Sequence, residues 1–209
     1  GLINGLGLFV SSALGPDGRV AIAYYDRING DLKVTFFDTA RGVSSTPAII
    51  DGADGSDVGW YPSVAVGEDG VMHLSYVDAD KNLLVYINLR DRLRVIVDDG
   101  RRIDGKTSDG LDKPVFHLIG SDSNMLVVGN VLAIAYQDAT THEFLLAKYD
   151  GANLTISAVA GDETPFVGAY GFFASAASSN DGIIMSSYVI DLAAKDYWVD
   201  VFNAPIVIE

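Results

Sequence analysis

The chain has 209 residues, of which 49% are hydrophobic and 20% charged, and this composition predicts a globular protein with a substantial core rather than a disordered tail. Its 28 acidic and 14 basic residues give a formal charge of −14, which argues against nucleic acid and anionic membrane surfaces as main partners. The absence of cysteine excludes disulfides and thiolate chemistry, and no apolar run approaches the roughly 20 residues of a membrane helix.

The first 50 residues predict four strands joined by tight turns. Gly15-Pro16-Asp17-Gly18 is a turn signal, because Pro presets φ and Gly tolerates positive φ, and Asn29-Gly30 is a strong hairpin signal. Hydrophobic side chains alternate between these signals, as they do in strands. The predicted strands cover residues 8–14, 20–25, 32–37 and, more weakly, 47–50.

Three further stretches repeat this plan. The second unit has predicted strands at 63–66, 71–77, 83–88 and 93–97, and the third at 125–128, 131–137, 144–149 and 154–160. The fourth has strands at 172–177, 183–188, 197–202 and 206–208, with a second turn one residue longer, which moves its aspartate to Asp191. No segment has a convincing period of 3.6 residues, so almost no helix is expected.

Fixed spacings relate the four units. A tyrosine recurs on the second strand after 52, 60 and 52 residues, and the residue before it is always small; the pairs are Ala23-Tyr24, Ser75-Tyr76, Ala135-Tyr136 and Ser187-Tyr188. Since side chains alternate between the two faces of a strand, neighbouring sheets can pack ring against hollow. A β-sandwich would accept the same strands but does not require this recurring pair. The sequence therefore predicts an all-β protein, a β-propeller with four visible four-stranded blades at about 7–52, 57–97, 116–160 and 168–208.

The four blades form a single propeller domain over residues 1–209 or a piece of a larger ring, because propellers have from about 4 to 8 blades. The sequence opens at Gly1, without Met or a signal-peptide pattern. We therefore expect a processed or truncated product of a longer parent chain.

Several segments resemble the sialidase-like (BNR-type) propeller repeats of large secreted or surface proteins of bacteria. They are GWYPSVAV with the DG and HLSYVD that follow it, AIAYYDRINGDLKV, VIVDDGRRIDG and LAIAYQDATTHEFLLA. The resemblance implies a propeller fold, an extracellular or cell-envelope location, and a binding or scaffolding role. The Asp-box pattern of true sialidases is not matched, since residues 178–182 have the wrong spacing and no Trp, and no arginine triad for a sialic acid carboxylate can be assigned.

Two acidic loops are candidate calcium sites. Residues 51–57 and the turn containing Asp78, Asp80 and Asn82 place oxygen ligands at short spacing, as calcium loops do. The turn lacks the distal Glu of an EF-hand, and Asp and Asn are favoured in hairpin turns for backbone reasons alone. A solvated turn is therefore the favoured interpretation, calcium is the alternative, and no other cofactor is expected.

Two further features are candidate ligand-binding sites. The longest insertion, residues 98–114, carries Arg101, Arg102 and Asp104, and long loops on a rigid scaffold often hold binding residues, although an ordinary polar crossover between blades is favoured here. Trp60 and Tyr61 stand at the entry to a first strand, where other units have Leu8-Phe9 and Phe172-Phe173. These aromatic residues could form sugar-stacking platforms or buried plugs between blades, and the second interpretation is favoured.

No catalytic constellation stands out. His73, His117 and His142 lie on different units, without Ser-His-Asp or paired-His metal spacing, and His73 is expected to pack between blades. We therefore expect a non-catalytic extracellular module that engages a protein partner or a glycan, with the rest of its parent chain or an assembly as further partners. The alternative is a sialidase-like glycoside-processing enzyme, in which two carboxylates would meet at the mouth of the ring. A structural subunit that pairs through an open sheet edge is a third possibility.

Overall fold

The computed structural model describes residues 5–161, 168–179 and 182–207. These residues form β-strands and turns, and no helix occurs among them. The expectation of an all-β protein is thus confirmed. The described ranges accordingly include no helix with the length and apolar character needed to cross a membrane.

Four main antiparallel sheets follow one another along the chain. The first sheet contains β1 (Leu6–Leu14), β2 (Arg19–Asp26), β3 (Asp31–Asp38), β4 (Val43–Ser44) and β5 (Ala48–Asp51). The second contains β6 (Val58–Val66), β7 (Met72–Asp78), β8 (Leu83–Asn88) and β9 (Arg94–Asp98). The third contains β12 (Ile119–Val128), β13 (Val131–Asp138), β14 (Glu143–Tyr149) and β15 (Leu154–Ala160), after a two-stranded sheet of β10 (Arg101–Lys106) and β11 (Asp112–Phe116). The fourth contains β16 (Gly168–Ser179), β17 (Gly182–Asp191) and β18 (Asp196–Ala204).

The prediction of four four-stranded blades is wrong at both ends of the chain. The first sheet has five strands, because β4 and β5 both pair with β3. The fourth has three, since residues 206 and 207 form a bend instead of the predicted strand 206–208, and Ile208 lies outside the described residues. The insertion predicted as a polar crossover is the β10–β11 hairpin.

The fourth unit differs from its predicted register. The turn after β17 is no longer than its counterpart, since Asp191 pairs with Asp196 as Asp138 pairs with Glu143, and Asp191 accepts the amides of the residues two and three positions on, at 2.8 Å each. The additional residues of the fourth unit lie within the paired strands β16 and β17 and not in the turn. Ser187 is buried on the face that packs against the third sheet, so it takes the position of Tyr136, and Tyr188 points the other way. The predicted equivalence of Tyr188 with the other three tyrosines is therefore wrong.

The first strand of each sheet lies against the sheet before it. β6 packs on β1, β2 and β3; β12 packs on β6, β7 and β8; and β16 packs on β12, β13 and β14. Each junction encloses its own cluster of buried hydrophobic side chains. Each sheet buries one face against each neighbouring sheet. Four sheets in a row therefore enclose three separate hydrophobic cores.

Three contacts recur at these junctions. The first is a polar side chain on a first strand that accepts an amide of the next sheet: Ser11 from Val64 (3.1 Å), Ser63 from Met125 (2.9 Å) and Asn124 from Ala176 (2.9 Å). The second is a close approach at a glycine, where a Cβ would meet the preceding sheet at 2.7 Å (Gly59), 2.6 Å (Gly120) and 2.9 Å (Gly171). The third is a buried tyrosine that donates to a carboxylate of the preceding sheet: Tyr76 to Asp51 (2.5 Å) and Tyr136 to Asp98 (2.7 Å).

The row does not close on itself within the described residues. The face of the first sheet that points away from the second keeps Leu14 exposed, and the far face of the fourth sheet keeps Tyr197, Val199 and Val201 exposed. The predicted packing of a tyrosine ring against a small residue therefore holds at the first two junctions and fails at the third, where Ser187 replaces the tyrosine, and the outer faces of the first and fourth sheets are exposed.

Candidate functional site

Each first strand contains a β-bulge at the same position. The pairing register shifts between Leu8 and Ser11 on β1 and at the matching places on β6, β12 and β16. In every bulge a residue other than glycine has a positive φ; these residues are Phe9 (53°), Tyr61 (48°), Asp122 (51°) and Phe173 (50°). Such a conformation costs about 1–3 kcal/mol for a non-glycine residue, and strained positions of this kind cluster at functional sites.

The four bulge residues form a continuous row from the first sheet to the fourth, which we call the bulge row. The ring centroids of Phe9 and Tyr61 are 4.4 Å apart. Next along the row, Ser123 donates its hydroxyl to the carbonyl oxygen of Tyr61 at 2.9 Å, and Asp122 accepts the backbone amide of Phe173 at 3.0 Å. Four of the eight described non-glycine residues with a positive φ therefore lie along this row, and the other four, Asn82, Arg92, His142 and Lys195, lie in connections between strands.

Aromatic rings extend the bulge row at its first-sheet end. Phe9 lies 6.4 Å from Tyr25 and 6.3 Å from Trp60, and the Tyr25 and Trp60 rings lie 5.9 Å apart. Phe9 is 41% exposed and Phe173 76% exposed, and Trp60 and Tyr61 are half-buried. The interpretation of these aromatics as buried plugs is therefore wrong for Phe9 and Phe173.

A carboxylate fixes the orientation of two of the rings. Asp57 accepts the Tyr25 hydroxyl at 2.7 Å and the Trp60 indole N–H at 2.9 Å, and its own amide donates to Asp80 at 2.9 Å. Burial, and then the hydrogen bond to Asp57, raise the pKa of Tyr25 above its usual value. Burial, and then the charge of Asp122, do the same to the pKa of Tyr61. The Tyr25 hydroxyl is thus committed to Asp57, while the protonated Tyr61 hydroxyl can donate a hydrogen bond.

The bulge row thus combines aromatic faces with carboxylate and hydroxyl groups. Ligand sites are typically lined by aromatic and apolar side chains with a few placed polar groups that fix orientation. Aromatic rings pack against the apolar face of a ligand, while carboxylates accept hydrogen bonds from its hydroxyl groups. This arrangement suits a ligand with one apolar face and many hydroxyls.

The three candidate residues of the insertion are not brought together on one surface. Arg101 lies over the ring of Phe116, at 5.7 Å from its centroid, and Asp104 lies 3.8 Å from Lys113. Arg102 forms a bidentate ion pair with the buried Asp98, at 3.0 and 2.7 Å. Arg102 therefore attaches the base of the hairpin to the second sheet, which is a structural role.

Asp98 is the centre of a buried polar network. It also accepts the Tyr136 hydroxyl and, at 2.8 Å, the Gly100 amide. Burial alone would raise the pKa of Asp98, but the hydrogen bonds from Arg102, Tyr136 and Gly100 outweigh burial and hold it below its usual value. A neighbouring buried carboxylate, Asp138, binds His117 at 2.7 Å. These groups satisfy one another, so the network joins the second and third sheets.

The calcium candidates have separate partners. Asp78 is fully buried and pairs with Lys81 at 3.3 Å and Arg94 at 3.4 Å. Asp80 accepts the amide of Asp57, and Asn82 donates to the carbonyl oxygen of His117. Within the described ranges, no three His, Cys, Asp or Glu side chains come together in a way that could hold a metal ion. Calcium binding at this turn stays a prediction.

The opposite end of the second and third sheets has a cavity of about 630 Å³, lined by residues of the β6–β7 and β12–β13 turns. His73 lines it and lies 2.8 Å from the Tyr86 hydroxyl, with the two rings stacked at 5.9 Å. Burial lowers the pKa of His73 and raises that of Tyr86 to about 12. The packing role predicted for His73 thus extends to lining a cavity.

Some residues of the candidate site were missed in the sequence. Trp60 and Tyr61 were identified as binding candidates, and Asp57 belongs to the acidic loop 51–57 that was identified as a candidate calcium site, but Tyr25 and Asp122 were not singled out. A usable signal was present nonetheless: each bulge residue follows two positions after a glycine, and those glycines are Gly7, Gly59, Gly120 and Gly171.

No protein-family model matches the chain, and no curated protein matches it at a significant level. Among solved structures it is similar to the GH43_1 enzyme from Xanthomonas citri complexed with xylose, at 14% identity and a TM-score of 0.49, over 94% of this chain and 67% of that one. It is also similar to a puromycin hydrolase (12% identity, TM-score 0.47, 96% and 30% of the chains) and to the polysaccharide lyase Uly1 (11%, 0.40, 93% and 57%). Likenesses this distant do not transfer an activity, so function rests on this chain's own residues, and the sialidase-like resemblance stays a prediction.

Proposed function

We propose that the chain is a propeller-type module that binds a glycan along the bulge row without cleaving it. The observation that carries the proposal is the line of four strained residues, three of them aromatic, at the same position of four successive sheets. A conformation that costs about 1–3 kcal/mol at each of four sites is retained where it serves a function. In each bulge, the positive φ re-aims a side chain that a regular strand would place differently.

The chemistry of the bulge row favours neutral sugars. The rings of Phe9, Tyr61 and Trp60 can pack against the C–H side of a pyranose. Asp57 and Asp122 can accept hydrogen bonds from its hydroxyl groups. Both carboxylates, within a chain of charge −14, would repel uronic or sialic acids. The ligand class is therefore a neutral oligosaccharide long enough to touch two sheets.

The carboxyl groups with a shifted pKa supply no candidate general acid for glycoside cleavage. A glycoside hydrolase needs a general acid whose pKa is raised so that it carries a proton at working pH. In the described part of the chain, every carboxyl group with a shifted pKa has it lowered; these groups are Asp17, Asp26, Asp54, Asp69, Asp98, Asp109 and Asp150. Asp57 and Asp122 already accept hydrogen bonds from the chain itself.

Two broader parts of the proposal rest on the fold. The regular stacking of first strand on preceding sheet, with the amide and glycine contacts at all three junctions and the tyrosine contact at two, supports a β-propeller arrangement. A neutral polysaccharide ligand fits an extracellular or cell-envelope location, where such polymers are exposed.

The test is a binding screen of the purified chain against neutral, amino and acidic oligosaccharides, followed by calorimetry on the best ligand. We expect Phe9→Ala and Trp60→Ala each to raise Kd about tenfold or more, which corresponds to about 1.4 kcal/mol. Phe116→Ala is the matched control, because Phe116 is an exposed ring on the hairpin and outside the bulge row. Equal losses in all three variants, or preferred binding of acidic sugars, would contradict the proposal.

The enzymatic alternative is tested on the same ligands by assaying newly formed reducing ends. No release is expected. Release that disappears in Asp57→Asn or Asp122→Asn would show a glycoside-processing enzyme instead.

A further inference from the structure

The first sheet has two residues at positions that contact the preceding sheet elsewhere in the row, but no described sheet lies opposite them. Gly7 occupies the position of Gly59 and Gly120, yet a Cβ at Gly7 would meet only its own neighbour Val10, at 3.8 Å. Tyr24 occupies the position of Tyr76 and is half-exposed, and its hydroxyl makes no hydrogen bond to any described residue. In the second and third sheets both groups contact the preceding sheet, and in the fourth sheet the glycine does so, but no described sheet lies in front of the first.

The fourth sheet carries the complementary face at the other end of the row. Ser175 occupies the position from which Ser63 and Asn124 each accept an amide of the following sheet, and it is exposed. Tyr188 and Val199 pair with each other at the place where Val77 and Leu84 pair in the second sheet.

The partner of that Val77–Leu84 pair is the glycine of the next sheet. The close approach at Gly120 is made against the side chains of Val77 and Leu84. In the fourth sheet, Val199 is exposed, and no other sheet of the described residues covers it. The fourth sheet therefore offers the groups that a following sheet contacts, and the first sheet offers the groups that contact a preceding one.

We infer that two copies of this chain associate head to tail, with the outer face of the fourth sheet of one copy on the outer face of the first sheet of the next. A second copy is the occupant because this chain carries both halves of the repeated junction. In the new junction Gly7 lies against the Tyr188–Val199 pair, and the Ser12 amide, which corresponds to that of Val64, donates to Ser175. The interface is heterologous, so it can extend to further copies or close into a ring.

Two physical terms set the conditions for association. Apolar groups dominate both faces, and exposed apolar patches of this kind mark interaction sites. The charge of −14 on each copy opposes the encounter. Added salt screens that repulsion over about 8–10 Å at 0.1–0.15 M, so association strengthens as salt rises.

The experiment measures molar mass by light scattering and sedimentation, over a range of protein concentration and at low and physiological salt. We expect a mass that rises with concentration above the 22.2 kDa of one chain. Leu14→Glu disrupts the first-sheet face and Val201→Glu the fourth-sheet face; these side chains are 67% and 65% exposed, so neither change disturbs a core. Leu111→Glu, at 65% exposure on the hairpin, is the matched control and should associate like the parent.

Mixing the two face variants gives the decisive result. Each variant alone should remain monomeric, since it has lost one half of the junction. Their mixture should form a one-to-one dimer and nothing larger, because the intact face of each fits the intact face of the other. Circular dichroism of each variant confirms that it is folded.

Two results would overturn the inference. One is a parent chain that stays at 22.2 kDa under all conditions. The other is a Val201→Glu chain that dimerises with itself, which would show a like-to-like contact through the first sheet.

Discussion

The hydrogen bond from a buried tyrosine to a carboxylate of the preceding sheet allows a direct test of what holds neighbouring sheets together. Tyr136 is fully buried, and its hydroxyl donates at 2.7 Å to Asp98, whose side chain is 2% exposed. Tyr76 makes the same contact to Asp51, whose side chain is 31% exposed. Tyr24 is on the same strand position of the first sheet and has no such partner. Replacing each by Phe removes one oxygen and leaves the ring in place.

The expected losses follow from burial of the acceptor. A hydrogen bond to a charged group contributes about 1.5–3 kcal/mol, and Asp98 keeps Arg102 and Gly100 as donors after the change, so Tyr136→Phe should cost about 2 kcal/mol. Water can replace the hydroxyl at the more exposed Asp51, so Tyr76→Phe should cost about 1 kcal/mol. Tyr24→Phe should change the free energy of unfolding by less than about 0.5 kcal/mol.

Urea denaturation, followed by fluorescence and far-UV circular dichroism, measures the three variants against the parent at a low protein concentration. For a chain of this length about 2 kcal/mol corresponds to a fall in Tm of roughly 4–8 °C. The reasoning is refuted if Tyr24→Phe costs as much as Tyr136→Phe. Transitions that differ between the two probes would show that the sheets unfold separately, and the three values would then be compared sheet by sheet.

Three other changes test the network, the close approach and the hairpin. Asp98→Asn should lower stability by about 2 kcal/mol at pH 7, and because the folded-state pKa of Asp98 is depressed, the gap from the parent should shrink below about pH 4 in pH-dependent urea titrations. Gly59→Ala should cost at least about 3 kcal/mol, since its Cβ would lie 2.7 Å from the Cα of Leu32. By the same measurement Gly7→Ala should cost only about 1 kcal/mol of backbone strain, since its Cβ would make an ordinary contact with Val10 at 3.8 Å. Replacing residues 103–114 by a Gly-Gly turn should change stability by less than about 1 kcal/mol and leave glycan affinity unchanged in calorimetry, and lost binding would move the site to the hairpin.

The sequence was sufficient for the sheets because their cause is local. Turn signals such as Asn29-Gly30 and alternating side chains decide where strands begin and end, so most strands were found with their order. Register in the fourth sheet was not predictable in this way. A slip of one residue along a strand moves every side chain to the other face, and the spacing of 52 residues placed Tyr188 where Ser187 lies.

The site was half predictable for a related reason. Trp60 and Tyr61 stood out as aromatics at a strand entrance, but the left-handed conformation of Tyr61 did not, since tyrosine does not favour it. Asp122 did not stand out either, although aspartate is enriched in that conformation. That conformation is imposed by pairing with the second strand and by the neighbouring sheet. The mark it leaves in the sequence is a glycine two residues before each bulge residue, which shows where the chain is strained only once the pairing is known.

The bulge row depends on the junctions as much as on its own residues, and Ser63 tests that dependence. Ser63 lies two residues after the bulge residue Tyr61, is buried, and accepts the Met125 amide of the third sheet at 2.9 Å. Ser63→Ala leaves the buried Met125 amide without its acceptor, so we expect the free energy of unfolding in urea to fall by about 1–2 kcal/mol. We also expect a weaker glycan affinity, because the contact that holds the strained backbone next to Tyr61 is lost. Ser175→Ala, at the matching but uncovered position, should leave both quantities of the monomer unchanged. A Ser63→Ala chain that loses stability but keeps full affinity would show that the bulges hold their shape without the junction.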